Sequence, residues 1–172
     1  MANYAPSTRA RIADLITGMH VKTTDGHLSA LTELFTVVGR IAVKQLFIEI
    51  TSAADANATQ VLFNCTFTTP TIAVNAMCAK CASIAAAGAH TRITFVGGAV
   101  ATAAVITDSA GLTDVETANK IHIIGGETAA GANTVGSIGM LGDDATQAAT
   151  ISATAHLYYY PMSKGAYAKA LV

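Results

Sequence analysis

Cys78 and Cys81, in "MCAKCA" (77–82), have the spacing of half a zinc site, with His90 as a further candidate ligand, or of a redox dithiol. Structural zinc takes four ligands, and no second cysteine pair exists; Cys65 stands alone. A redox dithiol needs the helix N-terminus of a βαβ unit, and no such pattern flanks this one. The thiols are therefore read as reduced, small and apolar. Gly136, Gly139 and Gly142 in "GSIGMLG" suggest a phosphate cradle, but "DDATQ" follows where a lysine and a helix are required, so they read as turn or loop glycines. Asp143 with Asp144, and Asp108 with Asp114 and Glu116, are hard-cation ligand types without EF-hand spacing, and read as solvated loop carboxylates. Five histidines (His20, His27, His90, His122, His156) are scattered, with no H-E-x-x-H and no G-x-S-x-G in the chain. His122 and His156 fall in strand patterns, which points to lining a face or an interface. The reading is of a non-enzyme, with no catalytic residue, cofactor or metal.

The elements that would position such groups are strands. The chain has 172 residues, enough for one domain with a real core. Its hydrophobic fraction of 52% is carried largely by Ala, Val and Ile, and threonine is frequent, which suits sheets built from small side chains. The apolar runs, such as "AVATAAVI" (99–106), are far below the roughly 20 residues of a membrane span. "MANYAPSTRARIADL" has no apolar h-region, so the expectation is no signal peptide and cytoplasmic synthesis. With a net charge of −1 and no basic run, nothing favours nucleic acid. Only 12% of the residues are charged. A monomer of this mass exposes roughly 7,900 Å², so much of the surface is expected to face other chains.

Residues 1–20 read as an arm or a short helix, opened by Ser7 and spacing Ile12, Leu15, Ile16 and Met19 helically. Residues 21–172 read as one domain. "LTELFTVVGRIAVKQLFIEITSA" (31–53) reads as a strand with a bulge or bend at Gly39, forming a long hairpin with "QVLFNCTFT" (60–68). Residues 70–90 are ambiguous between helix and strand. "TRITFVGG" (91–98), "AVATAAVI" (99–106), "NKIHIIGG" (119–126) and "TISATAHLYYY" (150–160) read as further strands. The Gly-rich 127–149 reads as a surface loop or loose strand. The fold class is mainly β: an antiparallel β-sandwich or jelly-roll-like single domain with an extended N-terminal arm.

Three of the chain's five tyrosines stand together, Tyr158, Tyr159 and Tyr160, directly before Pro161. Alternation places aromatic mass on both faces of this closing strand, and Pro161 ends its pairing. One face is expected in the core and the other against another chain. The candidate contact residues are Phe35, Arg40, Tyr158, Tyr159, Tyr160 and Pro161.

Three segments carry a resemblance: "LFTVVGRIAVKQLFIEITSA" (34–53), "MCAKCASIAAAGAHTRITF" (77–95) and "ATAHLYYYPMSKGA" (153–166). In that order the chain resembles the small virion proteins of tailed bacteriophages, and among them the head decoration, or cement, proteins. The resemblance implies a homotrimer or homodimer on the capsid exterior that bridges major capsid protein subunits. The alternatives are a tail, adaptor or fibre-associated virion protein, and, from another class, a cytosolic β-sandwich that binds a small ligand.

Overall fold

The computed structural model describes residues 18–24, 26–27, 31–52, 60–69, 71–96, 103–107, 121–142 and 152–171. These residues form two antiparallel sheets, a β-sandwich. The front sheet runs β1 (Met19–Lys22), β11 (Ser152–Pro161), β4 (Ile41–Ile50), β7 (Arg92–Thr94), β8 (Val105–Thr107); β2 (Gly26–His27) also pairs with β11, and β9 (His122–Ile124) with β4. The back sheet runs β12 (Tyr167–Ala170), β3 (Leu31–Val38), β10 (Val135–Gly142), β5 (Val61–Thr69), β6 (Thr71–Ala76). The core lies between them. Leu46, Ile48 and Leu157 face inward from the front, and Phe35, Phe63 and Ile138 from the back, all fully buried. No helix among the described residues is long and apolar enough to cross a membrane.

The sandwich corrects several sequence expectations. Residues 31–53 are not one strand. The chain turns at Gly39, whose φ of +73° suits glycine, and passes from β3 in the back sheet to β4 in the front. Nor do 31–53 and 60–68 make a hairpin, since β4 and β5 lie in opposite sheets. An apolar alternating run shows that a strand has a buried face, but not which strand lies beside it. The ambiguous 70–90 divides into β6 and a segment without regular structure that buries Met77, Cys78, Cys81 and Ile84. The Gly-rich 127–149 contains β10, which pairs with β3 on one side and β5 on the other. Gly136, Gly139 and Gly142, expected in a turn or loop, therefore lie in a strand, and at Gly136 a Cβ would overlap the carbonyl oxygen of Thr66 and the ring of Phe67. β1 begins at Met19, so the sheet takes in the last residues assigned to the arm; residues 1–17 lie outside the described residues, as do Asp108, Asp114, Glu116, Asp143 and Asp144.

Three connections between the sheets meet at one end of the sandwich. They are the β3–β4 corner at Gly39–Arg40, the β9–β10 segment at Gly125–Thr134, and the β11–β12 turn at Met162–Ala166. Gly39 N–H donates to the Thr134 carbonyl at 2.8 Å, and Thr134 N–H to the Gly126 carbonyl at 3.0 Å. Arg40 N–H donates to Ser163 Oγ at 3.0 Å, and Asn133 Nδ2 to the Lys164 carbonyl at 3.1 Å. These bonds satisfy backbone groups that the sheet ladders leave at a corner.

Candidate functional site

β11 places Ala153, Ala155, Leu157 and Tyr159 in the core, so His156, Tyr158 and Tyr160 point outward. The pairing register then decides their neighbours. His156 lies between Lys22 of β1 and Phe47 of β4, and Tyr158 between His20 and Gln45. Tyr160 pairs with Ala42, which pairs with Ile123 of β9. A bulge in β4 helps: Tyr158 faces Gln45 but Tyr159 faces Val43, leaving Lys44 as the extra residue. Lys44 Nζ consequently sits 5.9 Å from the centre of the Tyr160 ring.

The rings form two linked stacks. His20 stacks on Tyr158 with centroids 4.3 Å apart, and His156 on Phe47 at 4.6 Å. The Arg92 guanidinium covers Phe47 at 5.4 Å, a cation–π arrangement. Glu49 is bonded to His90 at 3.1 Å and lies 3.9 Å from Arg92. Burial, then the positive charges of Lys22 and His20, push His156 below the usual histidine range, and Glu49 opposes them. The result is a face of stacked rings edged by Lys22, Lys44 and Arg92. Planar aromatic and guanidinium groups held in place lose little freedom on contact, which suits them to bind another protein. The back sheet differs: its outer row from β12 to β5 reads Lys169, Thr36, Ser137 and Thr66.

Of the contact residues expected from sequence, the face unites Tyr158 and Tyr160, with Pro161 exposed at its end. Arg40 is exposed at the corner, where its carbonyl accepts from Met162 N–H. Phe35 and Tyr159 are corrections. Phe35 is 0% exposed and Tyr159 1%, because both point between the sheets, so neither can meet another chain. His156 lines the face as expected, but His122 turns inward to meet Phe95 edge-on at 5.3 Å. Burial lowers its affinity for a proton. Sequence reasoning missed His20, Phe47, Arg92 and the two lysines as parts of the face. Only Phe47 and Glu49 signalled it, by alternating against Leu46, Ile48 and Ile50.

The C-x-x-C pair is structural. Cys78 Sγ accepts from Phe63 N–H and Cys81 Sγ from Val61 N–H, each at 3.3 Å, so the two thiols cap the edge of β5. The third candidate ligand, His90, bonds Glu49 instead, and no group of three or more metal-ligating side chains occurs among the described residues. Burial raises the Cys78 and Cys65 thiols above the ordinary cysteine value. A thiol-reactive dye added to native protein is therefore expected to label Cys78 and Cys81 at least about tenfold more slowly than after denaturation. Equal rates would show that the β5 cap is open in solution.

No protein family, curated protein or solved structure matches the chain.

Proposed function

We propose that this chain is a structural virion protein that decorates a bacteriophage capsid, with the outer face of the front sheet seated on the coat. The observation that carries this reading is the face itself: the rings of His20, Phe47, His156, Tyr158 and Tyr160, which span three neighbouring strands under a cationic edge. The resemblance of the Leu34–Ala53 and Ala153–Ala166 segments to head decoration proteins points the same way. The role is mechanical. Each copy, alone or as a homotrimer or homodimer, bridges neighbouring major capsid protein subunits and resists the outward pressure of packaged DNA. Many modest contacts on one shell sum to strong retention.

The test is quantitative mass spectrometry of purified particles. A copy number equal to that of the major capsid protein, or a simple fraction of it, is expected. A handful of copies per particle would replace this reading with a tail or adaptor role, and absence from particles would end the virion reading. The double variant Tyr158→Ala, Arg92→Ala tests the face. Its retention on shells is expected to fall at least about tenfold, the size of a lost hot spot. Wild-type retention would move the contact elsewhere.

A further inference from the structure

His20 and His156 do more than line the face. His20 Nε2 lies 3.2 Å from His156 Nδ1. The ring planes are within 10°, and the centroids are 5.5 Å apart, too far for face-to-face contact. The imidazoles therefore meet through their nitrogen edges. Such a bond needs one N–H and one lone pair, so it exists only while at least one ring is neutral. With both rings protonated, two N–H groups and two positive charges confront each other. The stacks on Tyr158 and Phe47 hold the rings in that confrontation.

The surroundings do not relieve it. β1 contributes Lys22 and β7 contributes Arg92, both cationic. β4 contributes the neutral Phe47 and Gln45, with Lys44 further along, and β11 the neutral Tyr158 and Thr154. Among the described residues, the one acid facing the pair is Glu49 of β4, already shared between Arg92 and His90.

β1 is the element at stake. Among the described residues it is a four-residue edge strand whose ladder partner is β11. Thr23 anchors its far end, donating N–H to the Ala155 carbonyl at 3.0 Å and accepting Ala155 N–H on Oγ1 at 2.9 Å. The ladder alternates, so Val21, opposite Leu157, shares the hydrogen-bonded phase with Thr23, while His20 and Lys22 stand in the closer, non-bonded pairs. Toward the Met19 end, the imidazole bond and the Tyr158 stack tie the outer faces of the two strands together.

We propose that His20 and His156 form a proton-operated latch that holds β1 on β11, opened when both imidazoles are protonated. Opening bares the backbone edge of β11 at Leu157–Tyr159, which β1 covers in the closed state. The latch stands on geometry within this chain and does not rest on the virion reading. The sign follows from linkage. His156 in the closed state binds a proton less readily than a free histidine, so opening takes up protons. The latch is at full strength above about pH 6.5, the free-histidine value, and weakens as pH falls below it.

Hydrogen exchange on the isolated chain, corrected for the intrinsic pH dependence of exchange, tests this. Between about pH 7.5 and 5.5, protection of the Val21 amide is expected to fall at least about tenfold, while Ile48 in β4 changes less than about threefold. In His156→Gln, which keeps a hydrogen-bonding side chain but cannot hold the second charge, the Val21 loss should shrink to less than about threefold; in His20→Gln, where burial and Lys22 still disfavour the charge on His156, it should be smaller than in the wild type. His122→Gln, which removes the half-buried imidazole outside the latch, should leave the Val21 loss unchanged. Constant Val21 protection in the wild type would overturn the latch. So would an equal loss in the glutamine variants, or a loss abolished by His122→Gln.

Discussion

Gly125→Ala is expected to lower the melting temperature by roughly 10 °C, following from about 2–5 kcal/mol of lost stability. Two costs combine. Gly125 has φ of +76°, which an alanine adopts at a cost of about 1–2 kcal/mol. A Cβ there would also overlap the Gly39 carbonyl oxygen and press on the Thr134 hydroxyl, 3.4 Å away. That overlap costs about 1–3 kcal/mol, as overpacking does in a core. Gly131 supplies the control: its φ is also +76°, but among the described residues nothing lies within 4 Å of its Cβ position. Gly131→Ala should therefore cost only the conformational share, about 1–2 kcal/mol. Differential scanning calorimetry of both variants separates the two costs. Equal shifts would mean that the approach of Gly125 to Gly39 carries no constraint.

Tyr159→Ala is expected to remove about 4–6 kcal/mol, a large part of the stability of an ordinary domain. The ring fills the space between the sheets, 1% exposed, and deleting it leaves a cavity. The hydroxyl joins the sheets directly. It accepts from Ala168 N–H at 2.9 Å and donates to the Ala168 carbonyl at 3.3 Å, linking β11 in front to β12 behind. Tyr159→Phe keeps the ring and strands those two buried backbone groups, at about 1–3 kcal/mol. Tyr158→Phe, one residue away on the outer face, should be close to neutral. Denaturant titration gives all three values. A Tyr159→Phe variant as stable as the wild type would show that the link between β11 and β12 holds without the hydroxyl.

The tyrosine run shows how much of this the sequence carried. The alternation of Ala153, Ala155 and Leu157 against Thr154 and His156 predicts a strand with one buried face, and β11 is that strand. It also predicts that adjacent tyrosines part company, as Tyr159 and Tyr158 do. Which tyrosine is inside depends on register, and register is decided by β4 and β1, more than a hundred residues earlier in the chain. The face was legible only in fragments for the same reason. His20, Phe47, Arg92 and Tyr158 come from four strands scattered along the chain, and no local period relates them. Phe35 was misplaced because an aromatic residue beside Thr36 and Arg40 looks much the same from sequence whether its side of the strand meets water or core. The segment holding β10 was left between a surface loop and a loose strand because glycine is poor in strands on propensity alone. Here Gly136 is required by the nearness of β5, a tertiary fact that propensity does not contain.

The clasped end of the sandwich has a consequence for how the chain is made. Glu33 and its partner Ser137 are 104 residues apart, and Arg40 and Ser163 are 123 apart. At about 5–20 residues per second, a ribosome that has delivered β3 needs roughly 5–20 s more to deliver β10. β3 pairs with β10 and β12, so it emerges long before either neighbour exists, with Phe35 and Val37 exposed. The β11–β12 turn, made later than the other two connections at this end, brings the residues that close the corner. A nascent chain stalled before residue 160 should thus remain open and protease-sensitive.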